Sequence, residues 1–88
     1  MHEFRTGDIV RHFKWETLNE EEKKQNKYLY KVVCMAEHTE TGEKLVIYQA
    51  LYAPFKTYAR PFDMFNGNID KEKYPEINQE YRFEKIDL

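Results

Sequence analysis

The sequence predicts a mainly β fold, a small barrel or meander of short strands, and three observations carry that prediction. Runs rich in Val, Ile, Tyr and Phe alternate with turn-forming residues at modest spacing. Aromatic residues make up 16% of the 88 residues, so large rings can fill a thin core. One segment, residues 16–27, has almost no apolar side chains. We therefore expect a single domain over residues 1–88, with one short helical or loop insert.

The first strand is expected within residues 7–15, GDIVRHFKW, where Gly7 begins a turn and β-favouring residues follow. Residues 16–27 then form a solvated helix or a loop. Thr17 followed by Glu20 fits a capping box, which favours the helix.

The second and third strands are expected at residues 28–37 and 44–52, joined by a tight turn. Gly42 suits a backbone position with positive φ at the end of that turn. A three-residue loop ending at Gly42 pairs Thr39 with Glu43. The loop thereby fixes the register of the hairpin.

This register places four cross-strand pairs on one face of the hairpin. The pairs are Tyr30 with Tyr52, Val32 with Ala50, Cys34 with Tyr48, and Ala36 with Val46. The face carries no charge, so we expect it to be the core. Gln49 falls on the opposite, half-polar face, although a one-residue slip would reverse the assignment.

The remaining elements follow from Pro and Gly positions. They are a turn at 53–56, an extended strand at 57–62, one helical turn at 61–65, a loop at 66–79 and a last strand at 80–86.

Composition limits the function classes. The net charge of −2, from 14 basic and 16 acidic residues, disfavours a dedicated nucleic-acid binder. The single cysteine, Cys34, has no partner for an internal disulfide and fits a reducing compartment. With no long apolar run, we expect no signal peptide or membrane span and a cytoplasmic location.

Five separated motifs occur in order along the chain. They are Arg11-His12-Phe13-Lys14, His38-Thr39-Glu40-Thr41, Val46 with Tyr48-Gln49-Ala50-Leu51-Tyr52, Arg60-Pro61 with Met64-Phe65, and Arg82-Phe83. In order and spacing, over roughly residues 7–86, they resemble the small bacterial family catalogued as domain of unknown function 1653. The resemblance implies a small barrel of the SH3-like type and no established activity. Trp15 and Ala53 stand where the family tends to have Gly, and the insert up to Lys27 replaces a short link.

Catalytic and metal-ligating patterns are weak. Cys34 and His38 in one strand would lie about 13 Å apart, too far for a nucleophile and its base. His2, His12 and His38 show no zinc-type spacing with Cys34. We therefore expect no metal and no cofactor.

The candidate binding surface combines cationic, amide and aromatic side chains. It consists of Arg11, His12, His38, Glu40, Gln49, Tyr52 and Arg60. Arginine can grip a carboxylate or phosphate, and a glutamine amide can read a base edge or a peptide backbone. Structural roles stay open, because Tyr52 could belong to the core and Arg60 could pair with an acid.

Three functions remain open at this point. The first is a non-catalytic module that recognises a protein or peptide partner. The second is a nucleotide or single-stranded nucleic-acid binder that uses Arg11, Lys14 and Arg60 with tyrosine side chains. The third, an enzyme built on His38, Glu40 and Arg60, requires a closed pocket in which these groups converge.

Overall fold

The computed structural model describes residues 3–87, and His2 lies outside that range. Five antiparallel strands form one sheet in the order β4-β3-β2-β1-β5. The strands are β1 (Ile9–His12), β2 (Leu29–Glu37), β3 (Lys44–Ala50), β4 (Thr57–Pro61) and β5 (Phe83–Lys85). The predicted mainly β fold class is confirmed. The sheet is consistent with a small barrel, and the SH3-like type stays a prediction.

Three short helical segments lie between the strands along the chain. They are a 3₁₀ helix (Phe13–Thr17), α1 (Glu20–Lys24) and α2 (Phe62–Phe65). The insert is therefore helical, but its capping box joins Asn19 and Glu22, not Thr17 and Glu20. The Thr17 hydroxyl does not cap α1, because it donates to the carbonyl of Lys14 in the 3₁₀ helix over 2.6 Å.

The register of the β2–β3 hairpin differs from the predicted one. Tyr30 pairs with Ala50 and Val32 with Tyr48, and a bulge at Val33 then shifts the register. A bulge adds one residue to one strand and reverses which face the following side chains occupy.

The bulge changes the face of the sheet on which the Cys34 side chain lies. Past it, Met35 packs against the core, whereas Cys34 is exposed. The predicted core position of Cys34 is therefore wrong. The core assignment of Tyr30, Val32 and Tyr48 is correct, because the bulge lies beyond them.

The main core lies on one face of the sheet and is dominated by aromatic rings. Phe65 from α2 stacks on Phe83 from β5, with ring centroids 4.1 Å apart and planes 8° apart. Val10, Val32 and Val46 belong to the same core cluster and are fully buried. Such ring pairs bury much area in few residues, which suits a domain of this size.

Residues 66–79 form the predicted loop, and the whole segment 66–82 packs against the rest of the domain. Its Ile69 and Ile77 form a second buried cluster with Phe13, at the start of the 3₁₀ helix. The Glu16 carboxylate accepts backbone N–H bonds from Asn78 (2.9 Å) and Gln79 (2.7 Å). The segment thus folds back beside the end of β1 and forms one wall of a cavity.

Across residues 3–87, every helix is too short or too polar to pass through a lipid bilayer.

Candidate functional site

A cavity of about 340 Å³ opens where the end of β1, β4 and the segment 66–82 meet. We call it the cationic cavity. Its lining residues are His12, Phe13, Lys14, Arg60, Ile69, Asp70, Lys73, Tyr74 and Arg82. The size falls within the range of pockets that enclose small organic ligands, about 300–1,000 Å³.

The charges around this cavity are strongly one-sided. Lys14, Arg60, Lys73 and Arg82 contribute four positive charges and Asp70 one negative charge, which gives a formal total of +3. The whole chain carries −2. Within residues 3–87 none of the four cations forms an ion pair, since the salt bridges there join other residues. The cavity is therefore a local region of positive potential in an acidic protein.

The single carboxylate of the cavity is largely engaged with its own loop. One oxygen of Asp70 accepts backbone N–H bonds from Glu72 (3.0 Å) and Lys73 (3.3 Å). It thereby orders the turn that carries Lys73 and Tyr74.

His12 ends β1 and caps the 3₁₀ helix that follows. Its Nδ1 accepts the backbone N–H of Lys14 over 3.1 Å, which leaves the proton of the neutral ring on Nε2. Burial, followed by the charges of Arg60, Lys14 and Arg82, lowers the pKa of His12 from 6.5 to about 3. At neutral pH the ring is therefore an uncharged N–H donor at the cavity wall.

Arg60 is held by aromatic side chains of the core. Its Nε donates to the Tyr48 hydroxyl over 3.2 Å, and its guanidinium carbon lies 5.6 Å from the centre of the Phe83 ring. Within residues 3–87, the terminal amino groups of the guanidinium have no protein hydrogen-bond acceptor. They are therefore available to an anion in the cavity.

Arg82 has a donor that the protein leaves unused. Its Nε is buried, and no hydrogen-bond acceptor within residues 3–87 reaches it. A buried N–H without a partner is costly, and native proteins keep few of them. Together with the absence of an ion pair, this orphaned donor leaves the guanidinium of Arg82 without a protein partner for its charge within residues 3–87.

A buried glutamine fixes the backbone that carries Arg82. Gln79 is 4% exposed, and its Nε2 donates to the carbonyls of Arg11 (2.9 Å) and Tyr81 (3.0 Å), with a longer bond to Arg82 (3.4 Å). Its Oε1 accepts from the Nε of Arg11 over 3.3 Å. Gln79 therefore ties the end of segment 66–82 to β1.

The structure brings together two of the seven residues predicted for the binding surface. His12 and Arg60 line the cationic cavity. Arg11 does not reach it, because its guanidinium lies 4.5 Å from the centre of the Trp15 ring and bonds to Gln79.

Gln49 and Tyr52 belong to a different region. Tyr52 lines a second cavity of about 620 Å³, and its hydroxyl lies 2.8 Å from that of Tyr30. Gln49 is off the core face, as predicted, and its amide donates to the carbonyl of Phe55 over 3.2 Å. Gln49 therefore holds the loop that follows β3.

His38 and Glu40 lie in the β2–β3 turn, away from both cavities. The Nδ1 of His38 accepts the backbone N–H groups of Glu40 (3.1 Å) and Thr41 (3.4 Å). This is a turn stabilised by a side chain. The structure does not bring Arg60 to this pair, and within residues 3–87 no group of three His, Cys, Asp or Glu side chains is arranged to hold a metal ion.

Sequence reasoning missed the contribution of segment 66–82. Asp70, Lys73, Tyr74 and Arg82 all line the cationic cavity. The available signal was the apolar spacing of Ile69, Tyr74 and Ile77 in a polar segment, which indicates that the segment packs against something.

The chain matches a family model described as "Protein of unknown function (DUF1653)" over residues 8–85. Searches of curated proteins and of solved structures found no significant match.

Proposed function

Since the chain belongs to the DUF1653 family, which offers no activity to transfer, we propose a function from the site itself. The protein is a non-catalytic binding module, and its cationic cavity takes a phosphate-bearing ligand of nucleotide size. The observation that carries this proposal is the group of four unpaired cations around one cavity of an acidic chain.

The donor set suits a phosphate group. Guanidinium groups present fixed forks of N–H donors that match phosphate oxygens, and Arg60 and Arg82 both face this cavity. Lys14 and Lys73 add mobile point charges at the exposed rim. The neutral His12 ring adds a further donor without adding repulsion to its cationic neighbours.

The apolar wall suits a flat ring. Phe13 and Tyr74 line the same cavity, with ring centroids 4.8 Å apart. Aromatic side chains next to cations are the usual combination in sites that bind nucleotides, because the base stacks while the phosphate is neutralised. This supports a nucleotide over an inorganic anion.

The other two functions receive less support. An enzyme based on His38 and Glu40 would need Arg60 beside them, and the three do not share a cavity. A peptide groove would need a continuous aromatic surface, whereas the exposed large apolar side chains lie on four different elements. They are Val33, Phe55, Tyr58 and Met64.

We also propose a cytoplasmic location in a bacterium. The single cysteine supports a reducing compartment, and the resemblance described above supports the bacterial source. Fractionation of cells that express the protein at native level tests the location.

Isothermal titration with uridine monophosphate tests the function, and uridine is the matched ligand without a phosphate. We expect the monophosphate to bind more tightly than uridine and to lose affinity as salt is raised. Lys14→Ala and Lys73→Ala should each weaken binding about 2- to 5-fold, because each removes one exposed charge from the cavity.

Lys31→Ala is the control, because Lys31 is equally exposed but lies on β2 outside the cavity. Equal affinity for uridine and its monophosphate would contradict the proposal. So would equal losses in the Lys31 and Lys73 variants. Absence of any binding would also contradict the proposal and would favour a protein partner instead.

A further inference from the structure

The second cavity adjoins the loop after β3 and the end of α1. Its lining residues are Lys24, Gln25, Asn26, Lys27, Leu51, Tyr52, Ala53 and Phe55. It holds two cations, several amide groups and two aromatic rings. Like the cationic cavity, the second cavity therefore combines cations with aromatic rings.

One tyrosine connects the two cavities. The Tyr28 ring lies 5.6 Å from the ring of His12, in the cationic cavity, and 6.4 Å from the ring of Tyr52, in the second cavity. The Nζ of Lys27 lies 5.6 Å from the centre of the same Tyr28 ring. Tyr28 is half-buried and contacts one ring of each cavity.

Phe55 is held out of the core at a conformational cost. Its side chain is 55% exposed and its φ is +61°, a backbone region that bulky residues rarely adopt. Gln49 holds its carbonyl, and its N–H donates to the carbonyl of Tyr52 over 2.8 Å. The positive φ of a bulky residue is the kind of backbone outlier that supports a hypothesis of function at this position.

Two further residues with positive φ lie at or beside the second cavity. Asn26 has a φ of +62° and Tyr28 a φ of +65°. All three non-glycine residues with positive φ in residues 3–87 therefore line the second cavity or bridge it to the cationic one.

From these observations we infer that the ligand is a single-stranded nucleic acid. The strand runs from the cationic cavity past Tyr28 into the second cavity. There the Phe55 ring stacks on a following base. This inference rests on the proposed function and extends it from one nucleotide to successive nucleotides of one strand. Lys24 would neutralise a second phosphate, since Lys27 is already paired with Glu22 at 3.0 Å.

Charge and ring chemistry favour a nucleic acid over a peptide here. The cationic cavity and, in the second cavity, Lys24 offer unpaired cations in cavities that also hold aromatic rings, which matches the alternation of phosphate and base along a strand. Stacking on rings tolerates any base, so we expect little sequence preference.

The test compares the affinities of uridine monophosphate and an oligouridylate octamer for the full chain. We expect the octamer to bind at least about tenfold more tightly. Phe55→Ala should weaken octamer binding about 5- to 150-fold, the range that loss of one stacked base produces, and leave the monophosphate unaffected. Phe55→Trp, which keeps a ring, should restore octamer binding.

Met64→Ala is the matched control for Phe55→Ala, because Met64 is 52% exposed and lines neither cavity. Circular dichroism of each variant checks the fold. Lys24→Ala should weaken the octamer only, in contrast to Lys73→Ala, which should weaken both ligands.

Equal affinity for the monophosphate and the octamer would overturn the inference and leave the proposed function intact. So would a Phe55→Ala variant that binds the octamer like Met64→Ala does. Failure of both ligands to bind would overturn the proposed function itself. Binding of an acidic peptide through Phe55, in place of the octamer, would overturn the inference and assign the second cavity to a protein partner.

Discussion

The Nδ1 of His12 accepts the backbone N–H of Lys14 over 3.1 Å, so one ring caps the 3₁₀ helix and lines the cationic cavity. The same ring stacks on Phe13 with centroids 4.5 Å apart. These contacts orient the imidazole, while burial and the charges of Arg60, Lys14 and Arg82 lower its pKa and keep it neutral. Helix capping, core packing and the candidate site therefore depend on the protonation state of one side chain.

The first prediction concerns stability in acid. Because the pKa of His12 is lowered to about 3 in the folded protein, the unfolded chain binds one more proton between about pH 6.5 and 3. The free energy of unfolding should therefore fall as pH decreases through that window, by up to about 1.4 kcal/mol per pH unit. Urea unfolding at several pH values measures this.

His12→Asn provides the comparison, since an Asn side chain can still cap the helix but does not titrate. The difference in stability between the two proteins should shrink as the pH falls. Parallel loss of stability in both would show that His12 is not the titrating group.

The second prediction concerns the hydroxyl pair of Tyr30 and Tyr52, whose oxygens lie 2.8 Å apart. Tyr30 is 7% exposed, and burial followed by this hydrogen bond raises its pKa above the usual value. Tyr52→Phe leaves the Tyr30 hydroxyl unpaired and should lower the free energy of unfolding by about 1–3 kcal/mol. Tyr58→Phe should change it by much less, because no hydrogen bond of its hydroxyl is present within residues 3–87. Equal losses in chemical denaturation would argue against the buried pair.

The third prediction concerns Gln79, which is buried and donates to backbone carbonyls of Arg11, Tyr81 and Arg82. Gln79→Glu replaces an amide donor by a group that only accepts, and it faces those oxygens directly. We expect a loss of at least about 2 kcal/mol in the free energy of unfolding. Gln25→Glu, an exposed site, should be close to neutral. An unchanged free energy of unfolding in the Gln79→Glu variant would show that this hydrogen-bond network does not stabilise the fold.

The fourth prediction tests the bulge in β2. Because Cys34 is exposed, its thiol should react with a disulfide reagent in native buffer, at a rate within about tenfold of that in denaturant. The chain has only this cysteine, so the signal is unambiguous. A thiol that reacts only after unfolding would restore the simple register in which Cys34 faces the core.

The strand pattern was readable from sequence because residue type and turn chemistry agree along most of the chain. Gly42 does adopt positive φ, at +73°, and ends the β2–β3 turn as expected, but Glu43 pairs with His38 and not with Thr39, so the loop is one residue longer than predicted. The bulge at Val33 was not readable, because Val32, Val33 and Cys34 suit either face of a sheet. Only tertiary packing, which selects Met35 for the core, decides where the extra residue goes.

The candidate site was only partly predictable for a similar reason. His12 and Arg60 could be selected by chemistry alone. Lys73 and Arg82 could not, because their position depends on segment 66–82 folding back against Phe13. The apolar spacing of the segment indicates that it packs against something, but its contact with Phe13 joins residues far apart in sequence, so the spacing does not identify the partner.

The central claim is that the cationic cavity binds a phosphate-bearing ligand. A titration of the isotopically labelled protein with uridine monophosphate, followed by backbone and imidazole NMR signals, tests it most directly. We predict saturable shifts at His12, Lys14, Lys73 and Arg82, and a rise in the pKa of His12 as a bound anion stabilises its charged form. An absence of saturable shifts, or shifts confined to the turn that carries His38 and Glu40, would contradict the claim.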